Sequence, residues 1–149
     1  SDYKSLNLYW YPLAATSAQA DQQFTTVDEH KTADSDKLID VITEALLDRK
    51  AEEITILDVH DLTTLADKFV ICHANTDVQI KAIADNVNKE TQEQLDEKAW
   101  KEEGRETRRW VILDYVNVVV HIFKKELREY YALERMWNDA PVTKIEDDS

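Results

Sequence analysis

Two runs of strand-forming residues, Trp110 to Tyr115 and Val118 to Phe123, are separated only by Val116 and Asn117. Parallel neighbours need a crossover of a dozen or more residues, so so short a gap predicts an antiparallel hairpin. The chain is thereby committed to a β-sheet, and two upstream segments offer further strands. Ile54 to Val59 is short and β-branched, and after a polar break Lys68 to Cys72 repeats the pattern. Valine resists the positive φ of tight hairpin turns, which predicts that Val116 and Asn117 form a turn of another type.

Helical spacing fills the intervals between these strands. Ser35 is a good N-cap with Asp36 in the first turn, and Leu38, Ile42, Ala45 and Leu46 then recur along one helical face. Thr76 with Gln79 three residues later forms a capping-box signature, after which Ile80, Ile83, Ala84, Val87 and Thr91 trace a long second helix ending in the high 90s. A last helix over Lys125 to Met136 is predicted, with Leu127, Tyr130, Leu133 and Trp137 as its buried edge. The resulting order, α-β-β-α-β-β-α, predicts a single α/β domain over residues 35–149, built as a mixed β-sheet flanked by helices. Lys144 to Ser149 fits a short edge strand whose acidic end should fray.

Residues 1–34 show no sustained period and are expected to form a poorly ordered N-terminal extension. Their aromatic cluster Tyr9-Trp10-Tyr11-Pro12 fits a short docking peptide as well as an unstructured tail. No basic region followed by a continuous apolar stretch is present, so a signal peptide is not expected.

Charge narrows the function classes. Thirty-one acids against eighteen bases give a formal net charge of −13, which repels phosphate backbones and anionic lipid and suits a basic partner. Direct nucleic-acid specificity is therefore not expected, and the longest apolar runs fall far below the ~20 residues of a membrane-spanning helix. The one cysteine, Cys72, has no internal partner for a disulfide, which fits a reducing compartment and a cytoplasmic location.

Gly104 is the only glycine in the chain, whereas phosphate-cradling loops need several, so Rossmann and P-loop chemistry are excluded. Asp58, Asp61 and Asp67 are better read as strand end, turn and turn than as metal ligands. Cys72 and His73 are adjacent, so in a strand they point to opposite faces and do not chelate one metal; Cys72 reads as core. His121 shares a predicted sheet face with Val119 and Phe123 and reads as a hydrogen-bonded structural histidine. Trp110, with Ile112 and Asp114 on its face, is evenly divided between packing and partner contact on composition alone. No cofactor, metal or catalytic group is expected.

Taken together, these segments resemble one family. Glu103-Gly104, a polar spacer, then Trp110 to Phe123, followed by Arg128 to Trp137, is similar to the C-terminal half of the RsfS/Iojap ribosomal silencing factors, and Leu57-Asp58-Val59, Asp67 to Cys72 and Ala82 to Asp85 follow the family's order. Departures are Val116-Asn117 where the family commonly has glycine and aspartate, Ala74 for a glycine, and Val78-Gln79 for an Arg-His pair.

The resemblance implies a non-enzymatic protein. It would bind large-subunit ribosomal protein fourteen on the large ribosomal subunit and sterically block association with the small subunit, repressing translation. It further implies that Trp110 is the contact tryptophan, with Glu103, Gly104, Ile112, Asp114 and Tyr115 as its neighbours in the docking surface. Arg128, Tyr131, Glu134 and Trp137 match a second motif, for which support of the sheet is the alternative, and homodimers are possible. The family's fold resembles nucleotidyltransferases, but the Gly-Ser turn of their catalytic motif is absent. A large-subunit assembly factor, an acidic adaptor for basic proteins and a nucleotidyltransferase-like enzyme are the competing functions.

Overall fold

In a computed structural model that describes residues 35–146, each β-branched run becomes a strand of one mixed sheet. The extension over 1–34, its aromatic cluster and the acidic end of the expected edge strand lie outside the described residues. The strands are β1 (Glu52–Asp58), β2 (Lys68–Ala74), β3 (Lys101–Glu103), β4 (Trp110–Asp114), β5 (Val118–Lys124) and β6 (Val142–Lys144), in the spatial order β3-β4-β5-β2-β1-β6. The β4–β5 hairpin forms in the register Trp110↔Phe123 to Asp114↔Val119. Among the described residues only the central β5–β2 pairing is parallel, from Lys68↔Val118 to Ala74↔Lys124; the other pairings are antiparallel.

Alternation sorts the side chains of these strands to two faces, each with its own core. One face is covered by the first described helix, α1 (35–48), and by α2 (Asp77–Leu95). Leu38, Ile42, Ala45 and Leu46 of α1 and Ile80, Ile83, Ala84 and Val87 of α2 pack there on Val70, Cys72, Val111, Leu113, Val120 and Ile122. Each fully buried aliphatic side chain in that layer contributes ~1.5–3 kcal/mol. Ser35 is itself helical and buried, so it is not the cap residue expected from sequence. At α2 the expected cap is present, with Thr76 Oγ1 accepting from the Gln79 amide at 3.1 Å. The Gln79 side chain reaches the other way, donating to the carbonyls of Arg49 and Lys50 and so closing the end of α1.

The opposite face is covered by α3 (Lys125–Tyr131) and the four-residue α4 (Leu133–Met136). The single helix expected over this stretch is broken at Ala132, whose left-handed φ of 49° ends α3. Within α3 the buried edge runs from Leu127 to Tyr131, four residues apart, and both pack against the core; Tyr130, expected on that edge, is 70% exposed, while Leu133 beyond the break is buried.

Two corners shape the β4 end of the sheet. Gly104, at φ +81°, has space for no side chain: a Cβ there would lie 2.0 Å from the Trp110 carbonyl oxygen. Val116 does take the positive φ that its branching disfavours, 79°, in a three-residue turn closed by the Asn117 amide donating to the Tyr115 carbonyl at 3.0 Å. Asp114 Oδ1 accepts from the Val116 amide at 2.8 Å, and the Asn117 carbonyl accepts from the amides of Asp67 and Lys68. The strained turn is thus held from both sides, by its own strand and by the loop before β2.

Candidate functional site

Trp110 begins β4 on the face that α3 and α4 cover. Its indole stacks on Phe123 with centroids 4.7 Å apart, is overlaid by Tyr131 at 4.7 Å, and donates from Nε1 to His121 Nδ1 at 3.0 Å. Accepting that bond requires a neutral His121, and complete burial pushes its pKa down to about 3. The structural reading of this histidine is correct, and its orienting partner is the indole itself.

These contacts leave Trp110 2% exposed, so the indole offers no free area as an apolar anchor; the packing alternative describes its place in this chain. Ile112 is fully buried beside it. Tyr115 is buried on the other face, among α2 side chains, with its hydroxyl 3.0 Å from Thr91 Oγ1 and donating to Asn88 Oδ1 at 3.2 Å. Burial raises the pKa of that phenol to about 12. The docking set expected from sequence is therefore divided between two faces by strand alternation. Glu103, Gly104 and Asp114 remain partly exposed at the β3–β4 edge, Gly104 to close the loop onto Trp110 and Asp114 to cap the hairpin.

What reaches solvent above Trp110 is the outer side of α3 and α4. Tyr131 lies half-buried over the indole with Tyr130 edge-on against it, and Met136 is 62% exposed. Trp137 meets Phe69 edge-on at 5.3 Å. The second motif therefore lies over the buried tryptophan of the first.

Arg128 and Glu134 tie this layer to the sheet. The guanidinium forms a two-pronged pair with Glu134, Nε to Oε1 and Nη2 to Oε2, both at 3.0 Å. Arg128 Nη1 donates to the Glu53 carbonyl at 2.8 Å and to His73 Nδ1 at 3.0 Å, and Nη2 donates to Thr55 Oγ1 at 3.1 Å. Register shifts in β1 between Glu52 and Thr55, and Glu53 takes φ 46°, so the bulge carbonyl has lost its ladder partner and Arg128 replaces it. His73 and Thr55 were missed as members of this junction. The available signal was alternation along β2, which places His73 with Phe69 and Ile71 on the face the last helices cover.

Cys72 points to the α1–α2 side, and burial raises its thiol pKa to about 12, as its reading as core implies. Asp58 accepts from the His60 amide and Asp67 bonds the His60 ring at 2.7 Å, which makes them strand-end and turn residues. Among the described residues no group of three or more His, Cys, Asp or Glu side chains is placed to hold a metal, and no helix is long and apolar enough to cross a membrane.

The model of the family described as "Ribosomal silencing factor during starvation", RsfS, matches residues 32–149. The "Ribosomal silencing factor RsfS" of Halalkalibacterium halodurans is 42% identical to this chain over 110 residues, covering 74% of this chain and 93% of that protein. Its namesake from Bacillus subtilis is 40% identical over 112 residues, covering 73% and 92%. A crystal structure of a protein from Chromobacterium violaceum matches with a TM-score of 0.67 at 31% identity, over 69% of this chain and 85% of that one.

Proposed function

The chain belongs to the ribosomal silencing factor family, and we propose that it acts in the cytoplasm by binding the large ribosomal subunit through large-subunit ribosomal protein fourteen and sterically blocking association with the small subunit. The observation that carries the proposal is the family match over residues 32–149, which takes in every described element. A protein that obstructs by bulk needs affinity and placement and no chemistry. The net charge of −13 suits a basic ribosomal protein as the partner.

The proposed contact surface is the outer side of α3 and α4 with the adjoining β3–β4 edge. Tyr131, Tyr130 and Met136 supply apolar and aromatic area, while Glu103 and Asp114 supply carboxylates for lysine or arginine. Trp110 acts beneath Tyr131 as its base plate. Replacing it removes a buried aromatic at ~3–5 kcal/mol, so loss of binding in Trp110→Ala would mix contact with stability. Tyr131→Ala and Tyr130→Ala are the cleaner variants.

The test is a subunit-joining assay, with large subunits preincubated with the protein, mixed with small subunits and resolved on a sucrose gradient. The parent is expected to co-migrate with large subunits and suppress joining, and folded Tyr131→Ala to do neither. Binding without suppression would transfer the chain to the assembly-factor reading. Binding that disappears at moderate salt, where screening sets in within ~8 Å, and is indifferent to Tyr131 would leave only a diffuse acidic adaptor.

A further inference from the structure

The Arg128 junction contains one group that gains a positive charge on taking up a proton, His73. The His73 side chain is 5% exposed, and its Nδ1 accepts from Arg128, which requires a neutral ring carrying its proton on Nε2. The charged groups around it come from three elements. Arg128 of α3 faces Nδ1, Glu134 of α4 grips the same guanidinium, and on β1 Glu52 Oε1 and Glu53 Oε2 lie 3.4 and 3.9 Å from Nε2. Lys125, Glu129 and Arg135 from α3 and α4, with Lys50, Lys144 and Glu146, line the outer part of the same groove. Phe123, its partner across β5, brings no charge.

We propose that His73 is an acid-operated release for the α3–α4 layer. A proton taken from solvent onto Nδ1 turns the acceptor of the Arg128 bond into a donor and sets two cations 3.0 Å apart. The imidazolium is drawn towards Glu52 and Glu53, away from α3, and the junction holding the helices to the β1 bulge opens. The layer is suited to respond, because α3 buries no residue completely and α4 buries only Leu133, so its hold on the sheet is shared between the junction and the partly buried Leu127, Tyr131 and Trp137. Desolvation first, and then the Arg128 charge, lower the His73 pKa against the opposing pull of Glu52 and Glu53, which places the transition below the usual imidazole range.

The inference goes beyond the docking proposal, and its test needs no ribosome. Amide hydrogen exchange is followed from pH 7.5 to 4.5 as protection factors, which removes the intrinsic pH dependence, in the parent and in His73→Gln, whose amide oxygen accepts without titrating. The ring titration of His73 is read from its Cε1 proton resonance. Amides over 128–137 of the parent are expected to lose up to about tenfold in protection per pH unit as pH falls from the ordinary imidazole value of 6.5 to the lower ring midpoint, one proton being linked to opening, and to level off below it. Amides of α2 should hold, and His73→Gln should keep its 128–137 protection. Unchanged protection through the ring titration overturns the proposal, as does the same loss in His73→Gln. Should His73→Gln not fold, as α2 would report, the parent decides. A loss of protection that levels off at the ring midpoint supports the release, and one that levels off more than about one pH unit away overturns it.

Discussion

Gly104→Ala isolates a position whose role the structure specifies in ångströms. The added methyl would lie 2.0 Å from the Trp110 carbonyl oxygen and 3.3 Å from the Val111 Cα, both main chain of β4, so no side-chain rotation relieves it. An L-residue at φ +81° pays ~1–2 kcal/mol of backbone strain, and forcing extra volume into a packed site costs ~1–3 kcal/mol. Stiffening of the unfolded chain by alanine returns ~0.4–1 kcal/mol. The net expectation is a loss of roughly 1–5 kcal/mol, against the ~5–15 kcal/mol that holds a domain together. Urea unfolding followed by far-ultraviolet circular dichroism measures it as a lower midpoint at unchanged slope. A loss below about 0.5 kcal/mol, within the range of ordinary surface substitutions, would refute the close approach and return Gly104 to the list of residues a partner touches.

Two further outcomes follow from the same packing. Arg128→Met leaves Glu134 and Thr55 without the guanidinium, while the Glu53 carbonyl keeps the Thr55 hydroxyl, and an expected loss of ~1–3 kcal/mol in urea unfolding should exceed that of Glu134→Gln, which keeps a hydrogen-bonding group against the guanidinium. His121 makes the fold acid-sensitive. The unfolded chain takes up a proton near pH 6.5 and the folded chain only near about 3, so stability present above pH 6.5 drains away as pH falls between those values, by up to ~1.4 kcal/mol per pH unit. His121→Gln, which retains an acceptor for the Trp110 indole, should lower the slope of stability against pH between 6 and 4 by about one proton's worth; an unaltered slope would show that other groups set it.

Strong local periodicity was legible in the chain. The hairpin, the buried stripe of α2 from Ile80 to Thr91 and the cap at Thr76 each depend on residues within a few positions of one another, and each is present. The corners were not legible. Lys50, Glu53, Asp96, Arg108, Val116 and Ala132 all take positive φ without glycine to announce it, and this concealed both the β1 bulge and the break between α3 and α4. At the site, alternation correctly joined Trp110 to Ile112, but whether that face is bare or covered depends on Tyr131, which α3 brings over the indole from beyond the hairpin. The Arg128 junction was equally out of reach, since its carbonyl acceptor lies 75 residues upstream.

The parallel pairing at the centre of the sheet bears on how the molecule is made. β2 meets β5 in a constant register of 50 residues, Lys68 with Val118 and Ala74 with Lys124 (118 − 68 and 124 − 74). During synthesis at roughly 5–20 residues per second, β2 therefore waits about 3–10 seconds before its inner neighbour exists. Over that interval the nascent chain can fold α1, the β1–β2 pair and α2, but Phe69, Val70, Ile71 and Cys72, all fully buried in the finished sheet, present an unpaired edge. Closing a loop of that length makes the final step entropically slow. The most vulnerable moment in the life of this protein thus falls while it is still tethered to a ribosome, and its sheet is completed only when its own hairpin emerges.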